Sequence, residues 1–181
     1  MIAAVAALLL HGGYPTMDAA ARDALIAAAH CSHRYECGGA IYESGGRYYW
    51  SGPESDARPF GVTIHEYERP IPGMPIVADY HTHICEGRHF WGFFSPGDVA
   101  VNDGFHTVGY MLSLCDGNIH RYAPGVDDRE DEEVDYASGR KMYLTIGHLA
   151  GWVSPQLMNG RPVGEPFPDP DYEDMAGSAL P

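Results

Sequence analysis

Residues 75–83, PIVADYHTH, form an apolar run that ends in two histidines one residue apart. Such a run reads as a buried strand that delivers its histidines at its end. On a strand, residues i and i+2 project to the same face. His81 and His83 therefore aim at one point, with Thr82 turned away. About a dozen positions later stands SPGD, residues 95–98. Ser-Pro is a helix-opening signal. A helix beginning near Ser95 brings Asp98 into its first turn.

Two neutral imidazoles and one carboxylate make a metal set with a position left open for water. That is the catalytic arrangement of zinc, whereas structural zinc usually takes four protein ligands. Nitrogen and oxygen ligands without thiolate also suit other first-row metals, and zinc is the expected ion. Hydrolysis by metal-acidified water needs a base that takes a proton and passes it to the leaving group. Upstream, YECGGAIY supplies Glu36, and the paired glycines after it let backbone approach closely. Ser95 is a candidate hydrogen-bond partner for a tetrahedral oxyanion.

Other residues compete for these roles. Glu43 is a rival base at the far end of the same strand. Asp79 reads equally as a partner of a metal ligand or as a capping or solvated residue. His89 lies in the loop after the histidine pair and reads as a surface residue. His65, His106 and His120 read as ordinary strand or loop residues, and Tyr48, Tyr49 and Trp50 as core or sheet face.

The rest of the chain reads as an α+β domain on a mixed or antiparallel sheet. Residues 15–31 predict a helix, with Thr16 or Asp18 as cap and an alanine-leucine body. ECGGAIYES and GGRYYWSG predict two strands joined at a Gly-Gly turn. GVTIHEYE alternates and reads as a further strand. TVGYMLSLCDGNIHRYAP predicts a hairpin about Asp-Gly, and RKMYLTIGHLAGWV a last strand or helix.

A length of 181 residues suits one domain that buries a real core. The apolar share of 45% and aromatic share of 12% argue for a folded chain. A formal net charge of -14 repels phosphate backbones and anionic membrane surfaces. Neither a nucleic-acid partner nor stable membrane insertion is expected. Much of the acidity is local, in the solvated run DDREDEEVD at 127–135.

The four cysteines, Cys31, Cys37, Cys85 and Cys115, form no CxxC pair. They read as small buried thiols, with disulfides permitted by the even count. Residues 1–13 form an apolar segment, either signal-like or a helix packed on the domain. Residues 14–153 form the domain itself, and 154–181 read as a Pro/Gly/acidic tail, extended or disordered.

The set Glu36, His81-x-His83 and Ser95-x-x-Asp98 resembles the JAMM motif of the JAB/MPN metalloproteases. The surroundings resemble that clan too: a helix before the Glu, E-x-G-G entering a strand, HTH at a strand end and SPGD opening a helix. The nearest likeness is to a bacterial JAB-like family whose members occur alone or as modules of secreted polymorphic toxins. The likeness spans roughly residues 14 to 125. It implies a cytidine-deaminase-like mixed sheet flanked by helices and a zinc peptidase or isopeptidase acting on a peptide or protein. His81, His83 and Asp98 would bind zinc, Glu36 would be general acid/base, and Ser95 the oxyanion partner.

Toxin-type relatives would add an immunity or carrier protein as partner. Localisation stays open between a bacterial cytoplasm and a delivered effector. The chain departs from the family in Ile84, where proline is frequent, and in a longer 84–94 segment, both beside the substrate groove. Two other readings remain. One is a metal-binding interaction module without catalysis. The other is zinc-dependent hydrolysis of another C–N bond, although the deaminase H-x-E and Cys-x-x-Cys signature is absent.

Overall fold

Helix α1 (Met17–Ala29) begins where the Thr16 side chain accepts the Ala19 N–H. Threonine is a favoured residue at this position because it satisfies an otherwise orphaned donor. Ala20, Ala21, Ala24, Leu25, Ala28 and Ala29 are buried. Their spacing gathers them on one face, and their small size lets the helix lie close to the sheet. The computed structural model containing this helix describes residues 10–31, 34–84, 94–125, 144–148, 156–158 and 161–163.

Strands β1 (Leu10–Tyr14), β2 (Gly38–Ser44) and β3 (Arg47–Ser51) are followed by a 3-10 turn (His65–Glu68) and β4 (Ile76–His83). Then come α2 (Pro96–Phe105), β5 (Val108–Ser113), β6 (Asn118–Tyr122) and β7 (Leu144–His148). They form a mixed seven-stranded sheet in the order β1-β3-β2-β4-β5-β6-β7. The β2–β3 hairpin turns on Gly45 and Gly46, with φ of 59° and 70°. Positive φ at both positions is what a tight two-residue hairpin demands. The β4–β5 pairing is parallel, and every other pairing in this sheet is antiparallel. Parallel neighbours need a crossover, and α2 provides it.

Period-two alternation divides the central strands between two faces. Ala78, Tyr80, Tyr110 and Leu112 join the α1 core with Leu25, Ile41 and Ile119. Met111 faces the other way, into a small cluster with Phe94 and Tyr122 against which Val99 packs. Asp79, His81 and His83 share that second face by the same alternation. The class is thus α+β, with a mixed sheet and two helices.

Several elements differ from the sequence expectations. The segment GVTIHEYE is not a strand: residues 61–64 are irregular and 65–68 form the 3-10 turn. Its consecutive side chains Glu66 and Tyr67 both turn inward, Glu66 to the Ser51 hydroxyl and Tyr67 to Asp79, which a strand cannot do. Residues 10–14, partly assigned to the N-terminal segment, are the edge strand β1. Trp50 pairs opposite His11 and stacks on its ring, as a sheet-face residue does. Within the stretch from 154, β8 (Gln156–Met158) and β9 (Arg161–Val163) pair antiparallel. Cys31 and Cys37 are joined in a disulfide rather than left as thiols. The fold brings the end of α1 against the start of β2, which puts these cysteines within bonding reach. Residues 1–9, Cys85, His89 and the acidic run at 127–135 lie outside the described residues.

Candidate metal centre

β4 brings His81 and His83 to its C-terminal end, both buried, with their Nε2 atoms 3.1 Å apart. Asp98 arrives on α2. Ser95 caps that helix: its Oγ accepts the Asp98 N–H at 3.2 Å, and its own N–H donates to Asp98 Oδ2 at 2.7 Å. This reciprocal capping box, followed by proline at the first helical position, is a strong local helix start. The same Oδ2 stands 3.6 Å from His81 Nε2 and 3.3 Å from His83 Nε2.

Zinc bonds of usual length at tetrahedral angles hold ligand atoms about 3.3–3.6 Å apart. Two of the separations here, 3.3 and 3.6 Å, fall in that range, and the His81–His83 separation of 3.1 Å lies just below it. The residues present therefore fit a metal ion. His81, His83 and Asp98 form a largely buried group able to hold one.

Electrostatics in the cluster agree with that role. Burial works against charge on His81, but the Asp98 carboxylate outweighs it and holds the imidazolium up to about 9. Burial likewise disfavours the Asp98 carboxylate, yet His81 and then His83 keep it well below the usual carboxylate range. A metal cation bound here would take the place of the proton that this carboxylate holds on His81.

Glu36 is buried, and burial raises its carboxyl pKa against the pull of His83 and His81. It lines a cleft of about 80 Å3 together with His81, Asp98 and Asp79. Its backbone is fixed on both sides. The Glu36 N–H donates to the Arg58 carbonyl at 3.2 Å, and the Ser55 hydroxyl donates to the Glu36 carbonyl at 2.8 Å. The next residue, Cys37, donates its N–H to Thr82 Oγ1 and accepts the Thr82 N–H. Thr82 thus turns away from the histidines and ties the Glu36 segment to their strand. A Cβ at Gly38 would stand 2.5 Å from the Tyr80 carbonyl oxygen, so only glycine lets β2 come this close to β4.

No family model, curated protein or solved structure matches the chain.

The structure gathers Glu36, His81, His83, Asp98 and Ser95 at one end of the sheet. Glu43 lies five residues beyond Gly38 on β2, roughly 17 Å along the strand, and is remote from the cleft. His106 ends α2, His65 lies near Asp56, and His120 is buried in β6. Sequence reading missed Tyr67, Asn102 and Thr107, which gather around Asp79. It also missed the apolar cleft wall of Val62, Ile64 and Val101. Asn102 carries a legible signal, since it falls four residues after Asp98 and so on the same helical face. Tyr67 carries none, because its partners are distant in sequence.

Proposed function

We propose that this chain is a zinc-dependent peptidase or isopeptidase of the JAB/MPN type. One observation carries the reading: a three-residue group able to hold a metal has two of its members, His81 and Asp98, in one cleft with a separate buried carboxylate, Glu36. The resemblance of Glu36, HTH and SPGD to the JAMM motif supports it.

His81, His83 and Asp98 would hold the ion. A metal there supplies Lewis acidity and brings the pKa of water toward neutrality. Glu36 accepts the proton of the attacking water and delivers it to the leaving nitrogen. Its raised pKa suits a group that must hold that proton between the two transfers. Ser95 Oγ already accepts from Asp98 N–H, so its own proton is available to the developing oxyanion. The substrate is a peptide or protein amide, and a carrier or immunity protein is the partner that toxin-type relatives would imply.

Glu36→Gln tests the reading. Elemental analysis should find the same zinc content as in the wild type, near one ion per chain. Turnover of a peptide and isopeptide panel should fall by at least about 100-fold. Undiminished turnover would sink the mechanism. A wild type that binds zinc but hydrolyses nothing would make the domain a metal-binding interaction module.

A further inference from the structure

The three ligand atoms come from two elements, β4 and α2, so their spacing depends on how α2 is held against β4. Helices are ordinarily held by apolar side chains. Here Asn102 is the one buried residue of α2, at 1% exposure. It sits one turn beyond Asp98, and its Nδ2 donates to Asp79 Oδ2 at 2.6 Å. Asp79 is itself buried, two residues before His81 on β4. The Tyr67 hydroxyl donates to the same Oδ2 at 2.8 Å and lies 2.7 Å from Thr107 Oγ1. The Thr107 N–H returns to the Asn102 carbonyl at 3.1 Å, closing the network on the end of α2.

We infer that Asp79 and Asn102 are positioning residues: their bond clamps α2 onto β4 and so sets where Asp98 meets His81 and His83. Apolar packing is non-directional, whereas a charge-assisted hydrogen bond fixes both distance and angle. A buried carboxylate needs its donors, so the network also resists opening. The clamp lies beside the ligands, with Asp79 lining the same cleft as His81 and Asp98, so a small displacement of the helix moves Asp98 Oδ2 off the tetrahedral spacing. This inference rests on the metal-site reading proposed above.

The test compares metal binding with fold stability. Zinc affinity is measured by competition with a chromophoric chelator, and ligand geometry by the visible spectrum of the Co2+-loaded protein. Asn102→Ala should weaken zinc binding about 10- to 100-fold and alter the Co2+ bands. Asp79→Asn, which keeps an acceptor for Asn102 and Tyr67, should retain most of the wild-type affinity. Tyr67→Phe, a mild change, should cost a few-fold and serves if Asn102→Ala does not fold. Val99→Ala, which loosens the apolar contact of α2 without touching the clamp, should lower Tm and leave affinity unchanged.

Affinity unchanged in both Asn102→Ala and Tyr67→Phe would overturn the clamp alone. So would an equal loss in Val99→Ala at matched Tm. Absence of metal uptake by the wild type would overturn the clamp and the metal-site reading together.

Discussion

Ser95 and Asp98 bond to each other twice, N–H to Oδ2 at 2.7 Å and N–H to Oγ at 3.2 Å. The Asp98 oxygen used in that exchange is also the one facing both imidazoles. Ser95 caps α2, and in the proposed mechanism its hydroxyl would also donate to an oxyanion. Ser95→Ala should lower stability in urea by about 1 kcal/mol, the usual worth of such a cap. Ser95→Asn should keep the cap and recover most of that loss. Ser95→Ala should lose about 100-fold or more in kcat if the hydroxyl serves the oxyanion. Full kcat in Ser95→Ala would assign Ser95 to capping alone.

The His81–Asp98 pair sets a pH dependence. The His81 proton is held in the folded protein to about 9, against about 6.5 for a free imidazole. A raised pKa means stability that is complete below about pH 6.5 and lost as pH climbs through about 9. The metal-free protein should therefore show a falling Tm across that window. Zinc must displace the same proton, so affinity should rise about tenfold per pH unit until near pH 9. Calorimetry in buffers of different ionisation enthalpy should count about one proton released per ion. A flat affinity from pH 6 to 9 would show that His81 carries no proton in the metal-free state.

Gly38 faces three atoms that a side chain would strike, the Tyr80 carbonyl oxygen at 2.5 Å, and His81 Cβ and Ile64 Cδ1 each at 3.0 Å. The first is backbone and cannot swing aside. Gly38→Ala should destabilise by about 1–3 kcal/mol, the range for overpacking. It should also weaken zinc binding, because the strand it pushes carries the histidines. A normal Tm in thermal unfolding would contradict this.

The Cys31–Cys37 disulfide ties the end of α1 to the residue after Glu36. For so short a loop the crosslink contributes about 2 kcal/mol. The double change Cys31→Ala and Cys37→Ala should lower stability in urea by about that amount. The ligands lie on β4 and α2, so zinc content should persist. Turnover should fall further than zinc content, since the loosened segment carries Glu36, the proposed base. Equal losses of zinc and turnover would argue against a local effect.

Some of this was legible because the controlling interactions are short in sequence. His81 and His83 share a face by strand periodicity alone, and Ser95 captures Asp98 within one helical turn. Gly45 and Gly46 could hardly be other than a hairpin turn. The alternation of residues 61–68 matches a strand. What bends them into an irregular stretch and a 3-10 turn is Glu66 meeting Ser51 and Tyr67 meeting Asp79 across the fold. Nothing local to Cys37 shows that α1 ends beside it, so the even cysteine count permits its disulfide without naming the partner.

By itself the sequence determined the contents of the candidate site: two imidazoles, two carboxylates and a serine, each on an element whose start or period is written within a few residues. Only the tertiary structure decided how these pieces meet. The 3.1–3.6 Å spacing of the ligand atoms, the burial that raises Glu36 and the Asp79–Asn102 clamp all join residues from different elements. Local propensity reaches about one turn or one hairpin, whereas distance and desolvation arise only when separate elements pack.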